Sequence, residues 1–324
     1  MKLKLWKFTL GAVCVCASSV IGQAASLQRA DVIADPAWLL HVDCDALRPT
    51  AIGQFVLSEM DKPEAKAKLA AMQSMFNFDL RTQLHGVTLY GSSQAPTDAV
   101  LMVYADFEAD RLVTLAKAAK DYQSAPHKTH VIHNWIDDKK PVVDGVAPRV
   151  YAAIQGNRII FGQREDRVAA ALDALDGSNP NLAAGKSFPE LGAGGSGRFV
   201  EAAVRKLELP ASDPNSAILK LAKSLQLVIS EKQQQVQASL TLAADNDEVA
   251  GHVLSIAQGL IALLKLQTDK PDSLKLANAL VITQDGATIT GKLVLPGSDA
   301  VEIIKADAAR KAAAKAAKEA KEKE

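Results

Sequence analysis

His127, His130 and His133, three of the chain's six histidines, fall within seven residues and form its densest set of potential metal ligands. Neutral imidazole suits Zn, Cu or Ni, and Asp137 and Asp138 follow closely enough to add oxygen ligands. On an extended strand His127 and His133 share a face while His130 points away, so all three converge only where the segment turns. A solvated hairpin with incidental histidines is the simpler alternative. A second set, His41, Asp43 and Asp45, alternates on one face of a strand beginning at Trp38, where it could bind a hard metal ion or supply an acid and a base. Its plain alternative is the solvent side of an alternating strand, with Asp45 opening the turn into a helix.

Two glycine-rich strings spell nucleotide motifs without the context those motifs need. Gly192-Ala193-Gly194-Gly195-Ser196-Gly197 follows Pro189-Glu190-Leu191 rather than a strand, and what comes after it reads as a strand rather than a helix. Gly185-Lys186-Ser187 has Pro180 where a phosphate loop requires glycine. The chain contains no Gly-x-Ser-x-Gly, His-Glu-x-x-His or Cys-x-x-Cys.

The elements that must position these residues come in a pattern that occurs twice. In the first half, Trp38 to Cys44 alternates as a strand. A helical stretch runs from Thr50 to Met75, interrupted near Pro63, and Val87 to Tyr90 returns as a strand. In the second half the counterparts are Phe199 to Val204, a helical segment Ser216 to Ser224, and Leu227 to Ile229. Next, Ala99 to Tyr104 leads into Ala105-Asp106 and a helix from Ala109, as Val236 to Leu242 leads into Ala244-Asp245 and a helix from Glu248. Asp106 and Asp245 are of the type that caps a helix N-terminus. Each half closes with a hairpin, turning at Gly156-Asn157 or Asp285-Gly286, and a helix from Glu165 or Asp299.

This order predicts an α+β fold of duplicated βαββα-type halves, with mainly antiparallel sheets and helices on one face. The halves are residues 25–176 and 198–306, as two similar domains or one pseudo-symmetric body. Residues 124–148, which hold the three histidines, are an insert without a counterpart, and such insertions are where specialised function tends to sit. Residues 177–197, rich in Gly, Pro, Asn and Ser, read as a linker. Residues 307–324 are almost wholly Ala, Lys and Glu and extend the last helix or fray from it. The helix of residues 248–266 is apolar on most sides, but His252, Ser255, Gln258 and Lys265 interrupt it, which favours a buried core helix over a membrane span.

Lys2, Lys4 and Lys7 precede an apolar run from Phe8 to Ile21, and Gly22 and Ala24 supply the small residues of a cleavage site. Residues 1–24 therefore read as a signal peptide, and the mature chain as periplasmic or secreted. Cleavage leaves 34 basic against 37 acidic residues, a net charge of −3, which offers phosphate-rich nucleic acid no basic face. It also leaves Cys44 as the one cysteine, so the fold relies on its core rather than on internal disulfides.

Trp38-Leu39-Leu40-His41-Val42-Asp43-Cys44-Asp45-Ala46-Leu47, followed by Thr50-Ala51-Ile52-Gly53, resembles the opening of a group of exported α+β proteins from planctomycete and verrucomicrobial bacteria that begin with a Trp-x-x-His-x-Asp strand. The resemblance implies an exported α+β protein and carries over no catalytic residue.

The sequence thus points to an exported, non-enzymatic binding or interaction protein, whose partner is a protein or small ligand of the cell envelope. It predicts neither a nucleic-acid partner nor a membrane span after cleavage. A periplasmic transition-metal-binding protein using His127, His130 and His133 is the second reading, and Zn, Cu or Ni would be its cofactor. An enzyme using His41, Asp43 and Asp45 is the third. An apolar groove between the halves would favour the first, converging imidazoles the second, and a closed pocket over His41 with shifted carboxylates the third.

Overall fold

Alternating residues build the centre of the molecule from strand β1 (Trp38–Asp43), which pairs antiparallel with β2 (Leu84–Gly91) on one side and β8 (Arg198–Arg205) on the other. The computed structural model describes residues 26–142, 145–194, 197–205, 222–266 and 271–321. The expected signal peptide, residues 1–24, and Ser216 to Leu221 of the expected second-half helix lie outside the described residues. The remainder of that segment, Ala222 to Ser224, is strand rather than helix.

The other strands are β3 (Ala99–Ala105), β4 (Gln123–His127), β5 (His130–Ile136), β6 (Arg149–Gln155), β7 (Arg158–Gly162), β9 (Ala222–Lys232), β10 (Gln235–Ala244), β11 (Leu280–Asp285) and β12 (Thr288–Pro296). They join one twelve-stranded sheet in the order β11-β12-β10-β9-β8-β1-β2-β3-β7-β6-β5-β4. Outward from the β1–β8 seam, β1-β2-β3-β7-β6 on one side repeats as β8-β9-β10-β12-β11 on the other. Leu101 in β3 and Leu240 in β10 each lie in the third strand out from that seam. The halves are a single continuous body, and the insert adds the β4–β5 hairpin at one edge.

The helices are α1 (Cys44–Leu47), α2 (Ala51–Met60), α3 (Pro63–Phe76), α4 (Ala109–Lys117), α5 (Glu165–Leu175), α6 (Asp247–Leu266), α7 (Pro271–Ala279) and α8 (Gly297–Lys321). Local chemistry fixes several ends. Thr50 caps α2 by accepting from Gly53 N at 2.9 Å, and Pro63 opens α3, where its missing N–H costs nothing. Asn77, at φ 51°, closes α3 in the left-handed conformation that asparagine tolerates. The two expected aspartate caps do other work. Asp106 pairs with His85, Asp245 pairs with Lys223, and Asn246 caps α6 by accepting from Val249 N.

Strand alternation divides the first half into two layers. Leu39, Tyr90, Val100, Met102 and Ile160 are buried against Val168, Ala171 and Leu172 of α5. The stretch expected to be a linker belongs to this layer, because Leu182, Phe188 and Leu191 are buried in the same core. Arg29 binds it there, donating to the carbonyls of Leu182, Ser187, Phe188 and Leu191 at 2.6–3.0 Å. Its Gly and Pro content therefore serves tight turns over a packed surface rather than a free tether. On the opposite sheet face lie α3 and α4 in the first half and α6 in the second, so helices cover both faces rather than the one expected, because apolar residues alternate onto both sides of the strands.

Helix α6 is not the buried core helix that its sequence suggests. Ala250 and Val253 are buried near its start, whereas Leu260, Leu263 and Leu266 are 48, 59 and 76% exposed. By length and composition it is long and apolar enough to cross a membrane.

Candidate functional site

The polar set on β1 is divided by the fold. His41 and Asp43 are buried and Asp45 belongs to α1 rather than to the strand, so the three do not share a strand face. The polar side of β1 faces inward, with Leu40 on the other side 37% exposed, which reverses the solvent-face expectation. Burial is made tolerable by hydrogen bonds. His41 Nδ1 is 2.8 Å from Thr88 Oγ1, and Asp43 accepts from Ala46 N at 2.8 Å, capping α1. Nearby, the Tyr104 hydroxyl and the Arg158 guanidinium both donate to Asp31.

Asp43 and Asp45 border an open cleft of about 680 Å³, together with Thr50, Arg198, Glu201 and Glu231. Burial raises the Asp43 carboxyl above the ordinary carboxylate range. The acids around it are tied down: Glu231 accepts from Ala51 N, Glu201 accepts from Gly192 N, and Asp45 pairs with Arg48 at 2.8 Å. These bonds give the carboxylates structural employment as helix and loop anchors.

The three histidines of the insert do not converge. His127 and His130 are register partners on one face of the β4–β5 hairpin; His127 lies 2.8 Å from Asp173 of α5 and His130 lies 2.8 Å from Asp176, the residue that ends that helix. His133 lies on the opposite face, where its Nδ1 is 2.8 Å from the Tyr122 hydroxyl. Strand alternation and a tight hairpin, rather than a ligand-gathering loop, set this arrangement. Asp137 pairs with Lys140 at 3.7 Å instead of joining the imidazoles. Among the described residues no group of three or more His, Cys, Asp or Glu side chains is placed to hold a metal ion.

The opposite face of the first-half sheet carries a cavity of about 520 Å³ under α3 and α4. Val103, Trp135, Ile159 and Phe161 form its floor; Met72, Met75 and Phe76 of α3 and Leu112 and Leu115 of α4 form its roof. His133 is the one polar side chain on its wall, and burial lowers its pKa, with the charge of Lys117 acting in the same direction. No residue of α3 is buried, so this helix lies over the cavity without packing into it. Three hydrogen bonds tie the roof together: Arg111 of α4 donates to the carbonyls of Ser74 and Met75, and Asn77 donates to Glu108.

This apolar site was not anticipated, and it lies within the first half rather than between the halves. Its sequence signal was the pairing of Met72, Met75 and Phe76 with the Leu112–Leu115 face of the next helix, two apolar stripes facing the same strands. The length of the gap between them cannot be read from a stripe.

No family model and no curated protein matches the chain. Among solved structures, it is similar to crystal form III of TP0453, with 13% identity and a TM-score of 0.46 over 87% of this chain and 99% of that one. It is also similar to crystal form I of TP0453, with 9% identity and a TM-score of 0.44 over 87% of this chain and 98% of that one.

Proposed function

We propose that this is an exported, non-enzymatic binding protein that holds an apolar small molecule between the first-half sheet and the α3–α4 roof. The observation that carries the reading is the cavity itself, whose lining is apolar at every position except His133. Its volume of about 520 Å³ lies in the range of small-molecule sites, roughly 300–1,000 Å³, and such sites are mostly apolar with few polar groups. The loosely seated α3 offers a way in. Export follows from the signal-like residues 1–24 and would place the ligand in the cell envelope.

Trp135 on the floor makes the proposal measurable. A neutral apolar quencher such as a brominated alkane should quench Trp135 fluorescence saturably, and Ala116→Phe, which fills the space below α4, should abolish that saturation. Quenching that rises linearly with concentration and is equal in both proteins would refute the reading.

A further inference from the structure

The cavity is apolar throughout except at one corner, where His133 lies. His133 Nδ1 is 2.8 Å from the Tyr122 hydroxyl, and the two rings stack with centroids 5.9 Å apart. With Nδ1 engaged, Nε2 is the ring atom left for a ligand. Lys117, exposed in the last turn of α4, directly follows Ala116, which lines the cavity, and α4 packs against β5, the strand that carries His133; the lysine's charge acts with burial to lower the His133 pKa. Among the described residues no carboxylate pairs with the lysine.

We propose that the ligand is a long-chain carboxylate, with its tail among the apolar walls and its head group between His133 Nε2–H and the Lys117 ammonium. This rests on the reading of the cavity as a ligand site. The protonation pattern follows from the surroundings: burial disfavours the charged imidazole, and when the Tyr122 hydroxyl donates to Nδ1 the neutral ring's single proton sits on Nε2, which then donates to the ligand. A carboxylate accepts that bond and also takes the lysine's charge. A long-chain amine would be repelled by Lys117, and an alcohol would forgo the charge. The apolar walls discriminate by length alone, since each methylene removed from water should tighten binding about fourfold until the space is full.

The test uses dodecanoate, dodecanol and dodecylammonium below their micelle concentrations, each competing with a neutral quencher of Trp135. Dodecanoate is expected to bind about tenfold more tightly than dodecanol, with dodecylammonium weakest. Lys117→Gln and His133→Phe should each remove most of that advantage. The lysine is exposed, so its variant reports even if His133→Phe disturbs the sheet. Equal affinity for dodecanoate and dodecanol, or an advantage that survives both substitutions, would overturn the carboxylate proposal while leaving an apolar site. Failure of all three to compete would overturn both.

Discussion

His85 Nε2 lies 3.0 Å from Asp106 Oδ2 while its Nδ1 lies 3.0 Å from Asp45, so one imidazole joins α1 to the corner that leads into α4. Phe107, the residue after Asp106, lines the apolar cavity. The clamp thus ties the polar end of the first half to the wall of its apolar site. Both ring nitrogens can donate to carboxylates only when the ring is protonated.

Burial by itself would lower the His85 pKa, but the hydrogen bonds to Asp106 and Asp45 outweigh it and raise the folded value above the ordinary one. The clamp's stability is therefore fully present below the unfolded histidine value, near ~6.5, and is lost as pH rises through the folded value. His85→Gln should cost about 0.5–1 kcal/mol at pH 5.5 and little at pH 9. Urea midpoints across that range decide it. A loss that does not change with pH would mean the ring acts through packing alone.

Arg29 anchors the 182–191 stretch through four carbonyls, and that stretch roofs the larger core. Arg29→Ala leaves these acceptors without their donor. We expect a loss of about 2–4 kcal/mol and early proteolysis near Gly185. A variant as stable and as resistant as the parent would show that the stretch is held by Leu182, Phe188 and Leu191 alone.

Gly53 is fixed by close approach rather than by its backbone angles. A Cβ built there would stand 1.9 Å from the Leu47 carbonyl oxygen. Gly53→Ala must push α1 away from α2 and should destabilise by about 1–3 kcal/mol. A thermal midpoint within a degree of the parent's would contradict this packing.

The strand order was legible because alternation and turn chemistry are local. Gly156-Asn157 and Asp285-Gly286 mark their hairpins, and Leu101 and Leu240 each lie in the third strand out from the β1–β8 seam. Which face of a strand turns inward is not local. On β1 the apolar face is half-open and the side with His41 and Asp43 is buried, because Thr88 on the neighbouring strand meets the imidazole. Composition misled at residues 182–191, where Gly and Pro made a strap anchored by buried Leu182, Phe188 and Leu191 resemble a tether, and at α6, where apolar content implied burial that its neighbours do not provide. His85 was passed over because its two aspartates are distant from it in sequence.

His127 and His130 act as struts from the edge hairpin to α5, through Asp173 and Asp176. The Asp173 carboxyl is held below the ordinary range by Lys128 and then by His127. The Asp173 contact is therefore intact above the unfolded carboxylate value, near ~3.9, and is lost as pH falls through the depressed folded value. Changing both histidines to alanine should cost about 0.5–1.5 kcal/mol and raise amide exchange in residues 123–136 before the rest of the sheet. The metal reading is tested in the same series. Zinc, copper or nickel giving the wild type more calorimetric heat than a variant with His127, His130 and His133 all changed to alanine would show that the insert binds metal after local rearrangement. Equal heats, with the faster exchange, are expected when His127 and His130 are engaged by Asp173 and Asp176 and His133 lies on the other face of the hairpin.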